Sequence, residues 1–347
     1  MRSLAARVIV RWEALLVVAI VGVGIWSVTL SPFFLRRANL LDLVTPYVFI
    51  GLMAFGLTFV VITGEIDISV ASTLAASIVC FAQIFAAGVN VWAAALIGLC
   101  IAAGLGLVNG LLVGVLNLPS LAVTLGTMAA YSGLAFVVLS GEGVATFPAG
   151  FTRFGGGYLA NNELPVALLV MLAFALALGL LLHGTRFGRY LFAIGSNREA
   201  ARLSGIPVTR IRVTVFVISG LMAGIAGLVY VGYFGSARAD AAQLSLLDIV
   251  TAVVLGGVGI FGGTGSMPGV LLALILVAEV RNGMQLANLS GQLQNIVIGV
   301  LLLAAIVAGN LIAAARTGSR PAKLRRLRKE VTSKARAEAK VLVDSNP

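Results

Sequence analysis

The feature that most constrains this chain is a succession of apolar runs, each about as long as a membrane is thick. Ten runs follow one another, at about residues 13–30, 43–63, 70–87, 91–115, 119–139, 164–182, 213–233, 246–263, 268–287 and 293–313. A helix needs about 20 apolar residues to cross the hydrocarbon core of a bilayer. The sequence therefore predicts an all-α integral membrane protein with about ten transmembrane helices.

Composition excludes a soluble protein. Hydrophobic residues make up 60% of the 347 positions and charged residues only 11%, whereas roughly a quarter of a soluble domain is charged. We expect one polytopic transmembrane domain over residues 1–313 and a basic cytoplasmic tail over residues 314–347.

The distribution of positive charge predicts the orientation. The N-terminus, the loop 183–212 and the tail hold three, six and ten of the 24 lysines and arginines. Cytoplasmic segments carry this excess, so both termini are predicted to be cytoplasmic. The first run is too long for the apolar part of a signal peptide, which predicts an uncleaved span. The tail lacks aromatic residues that would stack on bases, so we expect it to bind anionic lipid headgroups and not nucleic acid.

Three short sequence marks recur in the same order. Gly51–Ala54 returns as Gly220–Ala223, Asp67 as Asp248, and Asn109-Gly110 as Asn282-Gly283. The shift is five spans, an odd number, which predicts an inverted repeat of spans 2–5 and 7–10. Transporters built in this way place their pathway at the repeat interface.

The fourth span carries a stripe of small residues at every fourth position. Its members are Ala94, Gly98, Ala102, Gly106, Gly110 and Gly114. Close approach of helix backbones drives association within lipid, so the stripe predicts a helix-packing face.

Polar side chains within the apolar runs are the candidates for contact with a solute. They are Glu65, Asp67, Asn109, Asp248 and Asn282. Carboxylates inside a membrane are costly and usually face a cavity or a partner, which also allows coupling to protons or sodium. The alternative is structural, since Asp67 and Ser69 could cap the third span.

No constellation for covalent chemistry is present in the sequence. His183 is the one histidine, and the glycine-rich stretch 256–269 lacks the lysine of a phosphate-binding loop. We interpret that stretch as a helix break or re-entrant turn. The chain is therefore predicted not to be an enzyme and to bind neither metal nor cofactor, so any ATP must be bound by another subunit.

The loop after the sixth span has features that a simple connector does not need. Ser196 or Asn197 can cap a short helix through Leu203, and Gly205 with Pro207 would end it. The helix would present Ala200 and Ala201 as a small face for a partner's cleft. Arg198 and Arg202, at i and i+4, would lie on one side. The alternative is a solvated basic loop.

Three motifs, in order, resemble the permease subunits of ribose-type carbohydrate importers of the ATP-binding-cassette class. They are the stretches Gly64–Ser72 (GEIDISVAS), Gly188–Ile206 and Ala252–Gly265, within a similarity over about residues 40–312. Glu65 and Ala71 stand where the family motif has glycines. The segment Tyr233–Asp240 is closer to the rhamnose and autoinducer-2 importers.

The resemblance implies a location in a bacterial inner membrane and a set of partners. Two permease subunits, alike or different, would form the pathway, cytoplasmic ATPase subunits would drive it, and a periplasmic binding protein would deliver a small sugar-like solute. The loop with Gly188, Gly195, Asn197, Ala200, Ala201 and Gly205 would contact the ATPase. An ion-coupled secondary transporter is the alternative, because intramembrane carboxylates and an inverted repeat suit it equally well.

Overall fold

A computed structural model describes residues 12–139, 143–159 and 164–317. The chain divides into two units, residues 1–302 and 303–347. The described part of the second unit is the end of one helix. The basic N-terminal residues and almost all of the basic tail lie outside the described residues.

The described residues form mainly α-helices. They are α1 (Trp12–Leu30), α2 (Arg37–Val44), α3 (Tyr47–Ile62), α4 (Val70–Ala86), α5 (Val91–Gly114), α6 (Ser120–Leu139), α7 (Ala149–Gly156), α8 (Val166–Gly184), α9 (Arg186–Ser196), α10 (Arg198–Leu203), α11 (Val208–Phe234), α12 (Leu246–Leu255), α13 (Met267–Leu286) and α14 (Gly291–Thr317). A 3-10 turn covers Gln243–Ser245. Two short strands, β1 (Tyr158–Leu159) and β2 (Leu164–Pro165), pair antiparallel, with Tyr158 opposite Pro165.

Seven of the described helices are long and apolar enough to cross a membrane. They are α1, α5, α6, α8, α11, α13 and the part of α14 over Gly291–Gly309. Three shorter apolar helices, at Tyr47–Ile62, Val70–Ala86 and Gln243–Leu255, lie at the other three predicted runs. The prediction of an all-α integral membrane protein is confirmed.

The predicted bounds are wrong at two of these runs. The second run was expected to start near residue 43, but α2 ends at Val44 and α3 begins after Pro46. The eighth run was expected to reach residue 263, but α12 ends at Leu255 because Gly256 and Gly257 follow, the latter with φ of 83°. Glycine adopts this left-handed conformation without steric cost, which ends the helix.

Helices α3 and α11 pack antiparallel in the core. Phe49 near the start of α3 contacts Tyr230 near the end of α11, with ring centroids 5.3 Å apart. Farther along α3, Gly56 faces Ser219 and Met222 nearer the start of α11. Both Gly-Leu-Met-Ala segments lie in these two helices.

The small-residue stripe of α5 is a packing face, as predicted. All six of its residues are buried. Gly106, Gly110 and Gly114 lie against the backbone of α11, and Gly98 lies against Phe81 of α4. The absence of side chains at the glycines allows the two backbones to approach closely.

The glycine-rich stretch after α12 forms a break between helices that rests on the end of α3. The Gly263 amide donates a hydrogen bond to the Ile62 carbonyl, at 2.9 Å. The start of α1 holds the same break, since Trp12 Nε1 donates to the Leu255 carbonyl at 2.6 Å. His183 has a structural role here, because its Nε2 accepts from the Met267 amide at 3.2 Å.

Candidate functional site

The loop between α3 and α4, residues 63–69, is the centre of the candidate site, and we call it the hub loop. Gly64 adopts φ of 79°, its amide donates to the Val61 carbonyl, and the Glu65 amide donates to the Val60 carbonyl. These two bonds form a Schellman motif, the common ending of a helix at glycine. The local sequence therefore ends α3 at Ile62, so that the polar residues Glu65, Asp67 and Ser69 lie in the loop that follows.

Asp67 is buried in the hub loop with hydroxyl partners. Its Oδ1 accepts from the Ser69 amide at 3.0 Å and from the Ser69 hydroxyl at 2.6 Å. Its Oδ2 accepts from the Ser219 hydroxyl of α11 at 2.9 Å. Asp67 is therefore a local capping group and also a contact between the hub loop and α11.

Asn109 joins the same network from α5. Its Nδ2 donates to the Ser69 hydroxyl at 2.8 Å, and the Tyr131 hydroxyl of α6 lies 3.4 Å from its Oδ1. The Ile66 amide of the hub loop donates to the Ser120 hydroxyl at the start of α6, at 3.1 Å. The hub loop thus contacts α5, α6 and α11.

Glu65 connects the hub loop to α10 and α11. Its Oε1 accepts from Arg198 Nη2 and, at 2.8 Å, from Arg212 Nε. Arg212 Nη1 also donates to Asn117 Oδ1 at 2.7 Å. The side chains of Glu65 and Arg212 are 5% and 4% exposed, and that of Arg198 is 45% exposed. These contacts make Glu65 part of a largely buried ion group.

The other two predicted pathway residues, Asp248 and Asn282, form separate polar contacts, one with Arg281 and one with Asn39. Asp248, in the first turn of α12, accepts from Arg281 Nη2 of α13 at 2.7 Å. Arg281 also donates to Asn295 Oδ1 at 2.9 Å. Asn282 and Asn39 exchange two side-chain hydrogen bonds of 2.9 Å.

Asp248 lies at the start of α12, whereas Asp67 lies in the hub loop, near the end of α12. The break that follows α12 contacts the end of α3, next to the hub loop, while Asp248 lies in the first turn of α12. From Asp248 to Leu255 the helix rises about 10 Å. The structure therefore brings Asp67 and Asn109 into one network and leaves Asp248 and Asn282 outside it.

The short capped helix predicted in the loop after the sixth span is confirmed as α10. Asn197 Oδ1 accepts from the Ala200 amide at 3.0 Å. At the other end Gly205 has φ of 79°, and the amides of Gly205 and Ile206 donate to the carbonyls of Arg202 and Ala201. This second Schellman motif ends α10 where Gly205 was predicted to end it.

The two other predicted glycines of this loop are sites of close contact. A Cβ at Gly188 would collide with the Leu182 carbonyl oxygen. A Cβ at Gly195 would collide with the Ile62 carbonyl oxygen and the Gly263 amide. Gly195 therefore lets α9 lie directly against the end of α3 and the break after α12.

The predicted outer face of α10 is wrong in two respects. Ala200 is exposed, but Ala201 is buried at 4% exposure, so they do not form one face for a partner. Arg198 and Arg202 are also not unpaired charges, because each binds an acidic residue of this chain. Arg202 binds Glu199, and this hydrogen bond lowers the pKa of Glu199.

Sequence reasoning missed several polar residues that the structure adds to these groups, among them Asn39, Arg212, Ser219 and Arg281. Arg281, an arginine inside an apolar run, carried a signal that could have been followed. The others contact residues that are distant in sequence, such as the Arg212–Glu65 pair, 147 positions apart. Within the described part of the chain, no cluster of His, Cys, Asp or Glu is arranged to hold a metal ion.

Comparisons with known proteins show the family. Residues 39–306 match the family model described as branched-chain amino acid transport system / permease component. The chain belongs to this permease family. It is therefore a multi-pass inner-membrane protein, the permease subunit of an ATP-binding-cassette importer, and it is not an enzyme.

Individual relatives cover most of the chain. The ribose import permease protein of Bacillus subtilis is 38% identical over 280 residues, which are 80% of this chain and 86% of the relative. The autoinducer 2 import system permease protein of Escherichia coli K12 is 36% identical over 307 residues, which are 85% of this chain and 91% of the relative. The same-named protein of Shigella flexneri has the same identity and coverage. No solved structure matches the chain.

Proposed function

We propose that this permease moves a small sugar or sugar-like solute into the cell. The observation that carries this proposal is the identity of 38% and 36% to permeases whose names specify ribose and autoinducer 2, over most of each chain. The family description names branched-chain amino acids. We give the individual relatives more weight because a family model spans members with different solutes.

The transporter would need three kinds of partner. ATP would be bound by separate cytoplasmic ATPase subunits, a periplasmic binding protein would deliver the solute, and a second permease subunit, identical or different, would complete the pathway. Membership of the importer family supports this assembly in general terms. Contact of the basic tail with membrane lipid stays a prediction, since the tail from residue 318 lies outside the described residues.

The architecture we propose has ten spans, cytoplasmic termini and an inverted repeat. The helices α3–α6 would correspond to α11–α14. The antiparallel contact of α3 with α11 supports this correspondence. So does the position of the short helices α4 and α12, each second in its half. Shortened or glycine-interrupted segments at corresponding positions of two halves point to a transport pathway.

We also propose that the pathway runs near four of the predicted polar residues, which form the pairs Asp67 with Asn109 and Asp248 with Asn282. Asp67 and Asn109 lie where α5, α6 and α11 meet the hub loop. Asp248 and Asn282 would be their counterparts near the other side of the membrane. Buried polar groups in a membrane protein commonly mark such pathways.

The ATPase would bind α10. This helix is capped at both ends, and its exposed residues include Ala200 and Leu203, with Leu203 74% exposed. An exposed leucine beside a small residue and an ion pair suits a shallow apolar cleft. Glu199 and Arg202, exposed and paired, would lie at the rim.

Reconstitution tests the function. Proteoliposomes with the permease, its ATPase and its binding protein should accumulate labelled ribose, or a second monosaccharide from a small panel, only when ATP is present. Permease alone should accumulate none of them, with or without an ion gradient. Accumulation driven by sodium or protons in the lone permease would contradict ATP coupling, and accumulation of leucine alone would contradict a sugar-like solute.

Co-purification with the ATPase tests the proposed docking helix. Leu203→Asp and Ala200→Trp should reduce co-purification while the permease keeps its normal abundance in the membrane. Leu244→Asp is the matched control, because Leu244 is also an exposed leucine (88%) but lies beside α12 at the end that carries Asp248. Equal co-purification of all three variants with the unchanged permease would mean that α10 is only a connector.

A further inference from the structure

The side chain of Glu65, a predicted pathway residue, binds two arginines of this chain. Its carboxylate accepts hydrogen bonds from Arg198 of α10 and Arg212 of α11, and only 5% of its side chain is exposed. Charge-assisted bonds of this kind are shorter and stronger than those between neutral groups. The two arginines therefore share one carboxylate oxygen, Oε1.

The Arg198–Glu65 pair is a direct connection between α10 and the hub loop. Among the described residues, it is the one side-chain hydrogen bond that joins α10 to a segment outside residues 186–207. The other ion pair of α10, Arg202–Glu199, lies within the helix and is exposed. A displacement of α10 would therefore act on this bond and, while the bond holds, on Glu65.

The residues that follow Glu65 extend this connection to the membrane helices. The Ile66 amide is bonded to Ser120 of α6, and the Asp67 carboxylate to Ser219 of α11. Ser69 is bonded to Asn109 of α5. Ile66, Asp67 and Ser69 all lie within four residues of Glu65, so these bonds are close along the chain to any movement of Glu65.

We infer that Glu65 is a positioning residue that transmits movement of α10 to α5, α6 and α11 through the hub loop. The inference rests on the proposed docking of the ATPase at α10. In the family motif that this stretch resembles, a glycine stands at position 65, so the link through a carboxylate is a feature of this chain. Arg212 anchors Glu65 from the buried side, and Arg198 connects it to the exposed helix.

Hydrogen–deuterium exchange measures transmission separately from docking. The amides of Gly64, Glu65, Ile66 and Ser69 are hydrogen-bonded, so their exchange reports how often these bonds open. The permease is compared in detergent alone and with its ATPase trapped by ATP and vanadate. Protection of residues 197–206 reports docking at α10, and the change at residues 63–69 reports transmission.

The key variants are on α10 because Arg198 is half-exposed and its loss leaves the Glu65–Arg212 pair intact. With the unchanged permease, ATPase binding should alter exchange at residues 63–69 by about fivefold or more, the range of ordinary allosteric coupling. Arg198→Met should abolish this response and keep the protection of α10. Arg198→Lys should restore part of it. Arg210→Met, at an exposed arginine near the start of α11 and outside the proposed docking helix, is the matched control and should respond like the unchanged permease.

Two results would overturn the inference. A full response at residues 63–69 in Arg198→Met shows that α10 does not act through Glu65. An equal loss in Arg198→Met and Arg210→Met shows a general effect of removing a positive charge. Absence of α10 protection in the unchanged complex is a different failure, because it contradicts the docking proposal itself.

Discussion

A single added methyl group at Gly106 is expected to separate α5 from α11. A Cβ there would lie 3.1 Å from the Gly220 Cα and from the Phe216 carbonyl carbon, and closer still to the Phe216 carbonyl oxygen. Carbon atoms pack best at about 3.5–4.0 Å. All three contacts are backbone atoms, which cannot rotate away as side chains can.

The magnitude follows from two opposing effects. Overpacking of a rigid site costs about 1–3 kcal/mol, and the backbone contacts put Gly106→Ala near the upper end. The better helix propensity of alanine returns about 1 kcal/mol. We therefore expect Gly106→Ala to lower the free energy of unfolding by about 1–2 kcal/mol.

The chain offers a matched control two residues away. A Cβ at Gly104 would meet nothing within 4 Å. Gly104→Ala should therefore keep only the gain in helix propensity, up to about 1 kcal/mol. The two variants make the same chemical change in the same helix and are expected to shift stability in opposite directions.

Unfolding in mixed micelles with increasing sodium dodecyl sulfate, followed by tryptophan fluorescence, measures both variants. The midpoint should fall for Gly106→Ala and stay or rise for Gly104→Ala. If both midpoints move equally in the same direction, close approach of the two backbones does not limit packing at Gly106, and the argument from the stripe of small residues fails.

Three further predictions concern the helix α10 and the buried carboxylates Asp248 and Asp67. Gly205→Ala should destabilise the end of α10 by about 1–2 kcal/mol, because alanine is strained at φ of 79°, and exchange of the amides at residues 201–206 would show it. Ala201→Trp should reduce the amount of folded permease in the membrane, because Ala201 is buried within this chain; normal abundance would contradict this. Asp248→Asn should cost about 3–5 kcal/mol by leaving Arg281 without its counter-ion. Asp67→Asn removes no ion pair seen among the described residues and should cost less in the same denaturation assay.

The sequence predicted those features of the fold that depend on neighbouring residues. The apolar runs placed the helices, and Asn197 and Gly205 predicted both ends of α10, because capping depends on a few adjacent residues. The stripe of small residues in α5 predicted a packing face for the same reason, since its spacing alone puts the residues on one side. The family motif predicted the hub loop as a special position.

What the sequence could not predict depends on contacts between distant segments. Arg198 and Arg202 do lie four residues apart, but the spacing does not show that Glu65, 133 positions away, already binds Arg198. Nor does it show which of two adjacent alanines faces inward. The eighth run was predicted too long because apolar residues continue past Leu255, while the two glycines that follow it end the helix.

The two carboxylates that the proposed repeat would pair with each other differ in their electrostatic surroundings. Asp248 is neutralised by a guanidinium, whereas the partners seen for Asp67 are two serine hydroxyls and one backbone amide. Desolvating a carboxylate is costly, and neutral donors offset less of that cost than a cation does. A sequence repeat alone would give both residues the same role. The structure instead gives Asp248 the partner of a structural ion pair, and it places Asp67, the less compensated charge, between the hub loop and α11. Of the two, we therefore expect Asp67 to be the residue whose charge matters for transport.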